Sequence, residues 1–268
     1  MSAYVVGDIH SCYDSLTKVL DVVHFDPDKD HLYSVGDICD RGPDCEKVLD
    51  FILDLCQEHP NSIDLIFGNH DNWIYQYLDF KLNGTPISYD ARQCWDYNGG
   101  VSTMKVLSHM SEDKMEDLYK IISSMKYCAN YKSFDIQHAN IKYPELLKDY
   151  DKYSLTLKEA VDSSLLAKDY DSWFFSRDAV YQSKVIYGED AHAIGGYIKT
   201  ENTLVIGHTP LVFEYIDPKP IYDRELNIIC IDTGAFVDMP IYHMKGCLSI
   251  VDLDALKWYT SDGRCGEL

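Results

Sequence analysis

The sequence predicts an α/β fold in which several strands deliver polar turns to one edge of a sheet. Three observations lead there: a strand–turn–helix plan repeated three times near the N-terminus, a helical middle, and a strand-rich remainder. Short apolar runs rich in Val, Ile and Tyr read as strands, and apolar residues recurring at three-to-four spacing read as helices.

The first unit runs from Tyr4-Val5-Val6 through Gly7-Asp8-Ile9-His10 into a helix bearing Leu16, Val19, Leu20 and Val23. The second runs from Leu32-Tyr33-Ser34-Val35 through Gly36-Asp37-Ile38-Cys39-Asp40-Arg41-Gly42-Pro43. Its helix carries Val48, Leu49, Ile52, Leu53 and Cys56. The third leads from Ile63–Phe67 through Gly68-Asn69-His70-Asp71 into a helix from about Asn72 to Leu82. These are strand–loop–helix units, so the three turns leave the carboxyl ends of neighbouring strands.

From Tyr89 to Lys126 the pattern is mostly helical, interrupted at Asn98-Gly99-Gly100. Tyr127–Tyr131 and Phe134–Gln137 read as a strand pair ending at His138, followed by a helix-compatible stretch over Pro144–Lys184 and a loop at Gly195-Gly196. Further strands are predicted at Thr203–Ile206, Val212–Ile216, Ile228–Ile231 and Cys247–Val251. No repeat beyond the three units and no flexible linker interrupts the chain. One domain over 1–268 is expected, with helical insertions at about 89–126 and 144–199 capping the site.

The composition narrows the function classes. The chain has 268 residues, 46% of them hydrophobic and 13% aromatic, enough for a sizeable core. Its 44 acidic and 24 basic residues give a formal charge of −20. Such a surface repels nucleic acid and anionic membrane, although bound metal can reverse the sign locally for a small anionic substrate. The N-terminus lacks the charged start and long apolar run of a signal peptide, and no segment approaches the length of a membrane span. A soluble, cytoplasmic protein is expected. Nine scattered cysteines without a C-x-x-C argue against disulfides and thiolate zinc, and read as small apolar filler.

The turns carry the chemistry. Asp8 and His10, two apart on an extended turn, can face one point; Asp37 can bridge two cations; Asn69 offers a neutral oxygen. His138 and His208 sit where two further strands end. Carboxylate, amide oxygen and imidazole together suit hard divalent or trivalent ions, and six such groups with one shared carboxylate describe a binuclear site. A metal pair of this kind activates a bridging water and clamps both oxygens of an in-line displacement. Asp40 can hold His70 as a proton donor to the leaving alkoxide, and Arg41 can fork onto phosphoryl oxygens. His138 lacks a full motif around it, and a satisfied structural histidine is its alternative reading.

G-D-x-H, G-D-x-x-D-R-G and G-N-H-D in this order resemble the phosphoprotein phosphatase family of calcineurin-like metallophosphoesterases. Asn98-Gly99-Gly100 after Trp95, Ile206-Gly207-His208-Thr209-Pro210 and Ile231-Asp232-Thr233-Gly234 resemble its bacterial and phage branch, home of lambda phosphatase and symmetrical diadenosine tetraphosphatase. The resemblance implies a mixed-sheet β-sandwich flanked by helices, with a helical capping insertion. It implies one divalent metal on Asp8, His10 and Asp37, and a second on Asp37, Asn69, His138 and His208. Manganese suits assay in vitro, with iron or zinc as alternatives. His70 with Asp40 would form the general-acid dyad and Arg41 would bind phosphate. Arg177, after Trp173-Phe174-Phe175-Ser176, matches the second phosphate-binding arginine of the family.

Two departures divide the expected substrates. Phe67 precedes Gly-Asn-His where protein phosphatases usually carry Arg, which resembles the diadenosine tetraphosphatases; Asp40-Arg41-Gly42 resembles the protein phosphatases. Ser11 also replaces the Gly that usually closes the first motif. The leading expectation is a serine/threonine, or tyrosine, protein phosphatase acting on phosphoproteins or phosphopeptides. A symmetrical dinucleoside polyphosphate hydrolase acting on a small nucleotide is the alternative within enzymes, and an inactive metal-binding scaffold is the alternative outside them.

Overall fold

A computed structural model describes residues 2–140, 147–168, 176–191, 199–214, 217–239 and 244–268. Its first three strands are β1 (Ala3–Val6), β2 (His31–Ser34) and β3 (Ile63–Leu65), paired in parallel in sequence order. The chain returns to their other side with β11 (Ser249–Asp252), β12 (Lys257–Thr260) and β13 (Cys265–Glu267), all antiparallel, so the six-stranded sheet is mixed. The crossover helices are α1 (Tyr13–Val22) and α2 (Cys45–Glu58).

A second, five-stranded sheet has the order β4 (Cys128–Tyr131), β5 (Phe134–Gln137), β6 (Thr203–Ile206), β8 (Ile228–Cys230) and β7 (Ile221–Asp223). Here β5, β6 and β8 run parallel, with antiparallel strands at both edges. Strand alternation joins the two sheets: Val5 and Val35 from the first and Ile136, Val205 and Ile229 from the second bury one apolar layer between them. Tyr4 and Val6 point the other way, into the core shared with α1 and α2. Leu204, Ile206 and Ile228 are likewise covered on the far side by Ala179, Val180 and Leu211. The expected sandwich of mixed sheets flanked by helices is the observed fold. Strands buried on both faces read as continuous apolar runs, which is why Thr203–Ile206 was legible.

The helical middle folds as α3 (Asn69–Asn83), α4 (Tyr89–Tyr97), α5 (Gly100–His109) and α6 (Glu112–Ser124). Helix α3 starts three residues earlier than its apolar spacing suggests. The Asp71 carboxylate accepts the Gly68 amide at 2.8 Å, capping the helix inside the polar motif itself. Val212–Ile216 is not a strand where it is described. Leu211–Glu214 forms a single 3₁₀ turn, because the Phe213 amide turns back to the Pro210 carbonyl and the Leu211 amide is taken by Asp232. Strands β7, β12 and β13 and the small pair β9 (Asp238–Met239) with β10 (Met244–Lys245) are additional to the strands expected from the sequence. Within the second predicted insertion the described helices are short, as at Leu157–Asp162 and Asp178–Tyr181. Trp173, Phe174, Phe175, Gly195 and Gly196 lie outside the described residues. Among the described residues, no helix is long and apolar enough to cross a membrane.

Candidate metal centre and proton-donating dyad

Parallel strands in both sheets end at one place: β1 leads to Asp8 and His10, β2 to Asp37, β3 to Asn69, β5 to His138 and β6 to His208. All six side chains are buried. The turns that present them are strained. His10, Asp37, Asp40, Arg41 and His208 all have positive φ, between 44° and 73°, where L side chains crowd their own backbone. Each such residue costs on the order of 1 kcal/mol and persists only where packing enforces it. A close approach adds to this at Gly68: a Cβ there would sit 2.2 Å from an Asp37 carboxylate oxygen.

Two acceptor clusters meet at Asp37. Ligand atoms of His10, Asp37 and His70 lie within 4.8 Å of one another, and so do those of Asp37, His138 and His208. Hydrogen bonds at the rear of two rings decide which nitrogen faces the centre. His10 Nδ1–H donates to the Cys39 carbonyl at 2.9 Å, and His138 Nδ1–H donates to the Val35 carbonyl at 2.9 Å. Each Nε2 is therefore a bare lone pair turned inward. That lone pair on His138 faces Asn69 Oδ1 at 3.2 Å and Asp37 Oδ2 at 3.5 Å, two more acceptors. His208 Nδ1 adds a fourth ligand atom at 3.2 Å. Carboxylate, amide oxygen and imidazole nitrogens converging this closely suit a cation, which all of them can ligate at once. The donor set therefore fits divalent metal, with Asp37 common to both clusters.

Asp8 takes a different posture. Both of its oxygens accept the His208 amide, at 3.2 and 3.1 Å, which ties the β1 turn to the β6 turn. It is not among the groups within 4.8 Å, but its charge is felt there: burial, Asp232 and Asp37 push its pKa well above the carboxylate range. Burial lifts Asp37 to about 8 and Asp232 to about 6. Burial likewise drives His10 and His208 well below the imidazole range and His138 to about 4. Buried carboxylates pushed toward neutrality beside neutral imidazoles make a setting in which a bound cation would favour the ionised carboxylates.

The structure brings His70 and Asp40 together. His70 Nδ1 and Asp40 Oδ2 are 2.5 Å apart, both fully buried. The indole Nε1–H of Trp95 donates to the same oxygen at 2.6 Å, and the Asp40 amide donates to Thr103 Oγ1 at 3.2 Å. Burial raises Asp40 to about 6 against these hydrogen bonds. Trp95 sits on α4 and Thr103 on α5, so both helices supply partners to Asp40. Gly100 lets the two helices meet, since a Cβ there would lie 2.3 Å from the Trp95 ring. His70 Nε2, the far side of the ring, has no hydrogen-bond partner among the described residues and lies 3.9 Å from Asp37 Oδ2.

Arg41 stands over the first cluster. Its guanidinium donates to His10 Nε2 at 2.8 Å and stacks on the Phe236 ring, 4.5 Å from the centroid. Arg177 lies within electrostatic reach of His208 and Asp232, lowering the pKa of both. Its segment is fastened to the β5 turn by the Ala179 amide, which donates to Asn140 Oδ1 at 3.2 Å.

Residues 1–212 match the pattern of calcineurin-like phosphoesterases. The chain belongs to that family. Curated relatives include the symmetrical bis(5′-nucleosyl)-tetraphosphatases of Erwinia tasmaniensis, 46% identical over 71 residues, and of Klebsiella pneumoniae, 44% identical over 71 residues. Each match covers 26% of this phosphoesterase and 24% of the relative, so the chain spans about a quarter of the length of those relatives. Two solved structures share the fold. A putative diadenosine tetraphosphatase superposes with a TM-score of 0.55 at 16% identity, covering 99% of this chain and 92% of that one. A cold-active protein-tyrosine phosphatase of a psychrophilic Shewanella species gives 0.56 at 17% identity, covering 99% and 79%.

Several contributors were missed in the sequence. Asp71, in the third motif, accepts the Asp37 and Ile38 amides at 2.7 and 3.2 Å and so shapes the bridging turn. Asp232 stood in a recognised motif without a role; it is buried at the end of β8, with one oxygen on the Gly234 amide at 2.9 Å. Thr103 and Phe236 carried no signal, because only the fold brings them to the site. Cys39, read as filler, is buried against Cys45 with the sulfurs 3.5 Å apart, and none of the nine cysteines is in a disulfide. Arg92 pairs with Asp96 on an exposed helix face.

Proposed function

We propose that the chain hydrolyses phosphate monoesters, with His70 protonating the leaving oxygen beside two divalent metal ions. Asp8, His10 and Asp37 would hold one ion, and Asp37, Asn69, His138 and His208 the other. The observation that carries this reading is the Asp40–His70 contact beside two acceptor clusters that share one carboxylate. When bound, the ions supply an activated water and neutralise charge on the phosphoryl group. The residues of the chain do the rest. Arg41 and Arg177 grip phosphoryl oxygens, and a fork of N–H donors fixes the ester in line for displacement. Burial, with the charges of Arg41 and His138, disfavours a second proton on His70, and an ionised Asp40 at Nδ1 works against that cost, favouring a proton on Nε2 for the departing alkoxide. Trp95 and Thr103 hold Asp40 in register, and the helices that carry them keep water away from the pair.

The leading substrates are phosphoserine, phosphothreonine or phosphotyrosine in proteins or peptides, whose poor leaving groups need a proton donor. A second reading, symmetrical cleavage of a dinucleoside tetraphosphate, is supported by the names of the curated relatives. The leaving group of an anhydride depends less on a general acid. Asp40→Asn should therefore slow hydrolysis of a phosphoserine peptide by about 10²-fold and that of diadenosine tetraphosphate far less. Equal losses on both substrates would remove the proton-donor role from His70.

A further inference from the structure

Two phenylalanines at the mouth of the site have no part in the chemistry above. Phe236 lies under the Arg41 guanidinium, 4.5 Å from ring centroid to Cζ, and packs edge-on against His10 at 4.9 Å. Phe213 adjoins it, with centroids 6.0 Å apart and planes tilted by 59°. It rides on the 3₁₀ turn that follows His208, where Leu211 and Val212 are buried and fasten the turn, yet Phe213 itself is 41% exposed. The two rings form a ledge that begins at the phosphate-gripping arginine and ends in solvent.

We propose that this Phe213–Phe236 ledge selects phosphate esters whose leaving group is an aromatic ring attached directly to the ester oxygen, the phosphotyrosyl side chain. The inference rests on the phosphoesterase reading and names its substrate class. Distance decides between candidates. A phosphoryl group forked by a guanidinium sits about 4 Å from Cζ, so a ring on its ester oxygen comes down beside Phe236 and Phe213. Rings prefer centroid spacings of about 4.5–7 Å in tilted or offset arrangements, the spacing the two phenylalanines already show. A serine or threonine ester brings no ring to the ledge. A nucleobase stands a ribose and further phosphates away and overshoots Phe236.

The test uses full-length protein loaded with Mn²⁺. Phosphotyrosine and phosphoserine peptides of one sequence and diadenosine tetraphosphate are assayed, and phenylphosphonate and methylphosphonate are titrated calorimetrically as non-hydrolysable probes. Phe213→Ala should raise KM for the phosphotyrosine peptide about fivefold more than for the phosphoserine peptide, with kcat held within twofold. The preference for phenylphosphonate over methylphosphonate should shrink by the same factor, and Phe213→Trp should restore both. Equal changes on the two peptides, or no phenylphosphonate preference in the unaltered protein, would overturn the proposal. So would a loss confined to diadenosine tetraphosphate, which would assign the ledge to a nucleobase. If the unaltered protein turns over no ester with two metals bound, the phosphoesterase reading fails, and the phosphonate titration then decides the ledge alone.

Discussion

His10, Asp37 and His70 converge from turns of one sheet, whereas His138 and His208 reach the same Asp37 from the other sheet. The first cluster is local. It is drawn from the first seventy residues, where the His10 and Ser11 amides bond to the Asp37 and Ile38 carbonyls at 2.9 and 3.0 Å, and neighbouring turns brace each other. The second cluster depends on the sandwich, since the hydrogen bond that orients His138 ends on Val35, 103 residues away in the opposite sheet. His70, in the first cluster, also pairs with Asp40. The difference teaches that one half of the centre is set by loop chemistry and the other half by how two sheets pack.

Removing the shared ligand is the largest way to break this comparison. Asp37→Asn should lower turnover by about 10³-fold or more and reduce metal content below two ions per chain, measured by elemental analysis of the purified protein. If both ions remain bound with normal affinity, Asp37 does not bridge. A smaller effect separates the dyad from the metals. Trp95→Phe removes one hydrogen bond to the Asp40 carboxylate and should cost about tenfold in kcat on a phosphoserine peptide, with metal content unchanged. Loss of metal from that variant would instead make Trp95 a support for the whole turn.

The smallest expected effect is on stability, and its sign follows from the buried carboxylates. In metal-free protein Asp37 and Asp71 titrate at about 8 and about 7, far above the ordinary 3.8, so the folded chain keeps protons that the unfolded chain has released. Stability then falls as pH rises through that range. Below about pH 6.5 the buried imidazoles, whose pKa values are lowered, work in the opposite direction, so the clean window lies between about pH 6.5 and 8. The melting temperature of chelator-treated protein should drop across that window, and Mn²⁺ should remove the drop. A flat profile without metal would show that these carboxylates are compensated by some other charge.

Sequence and structure divide along the same line as the two clusters. The three N-terminal turns were legible because a polar motif between an apolar run and a helical pattern is a local signal. Asp8, His10, Asp37, Asn69, His70, Asp40 and Arg41 could thus be named without coordinates. His138 and His208 were legible as histidines at strand ends, and the family resemblance put them on one metal; the structure sets their ring nitrogens 3.2 Å apart. The predicted strand over Val212–Ile216 failed because apolar pattern says nothing of an amide captured by Asp232 or of a turn closed on Pro210.

The sequence by itself determined the α/β plan, the polar turns at the carboxyl ends of strands and the ligand types they offer, all set by residues adjacent in the chain. The tertiary structure alone decided which ring nitrogen faces the centre, that Trp95 and Thr103 hold Asp40, and that Phe236 lies under Arg41 with Phe213 beside it. Those contacts join residues tens to hundreds of positions apart. Their existence depends on the packing of two sheets and a helical cap, which no local pattern encodes.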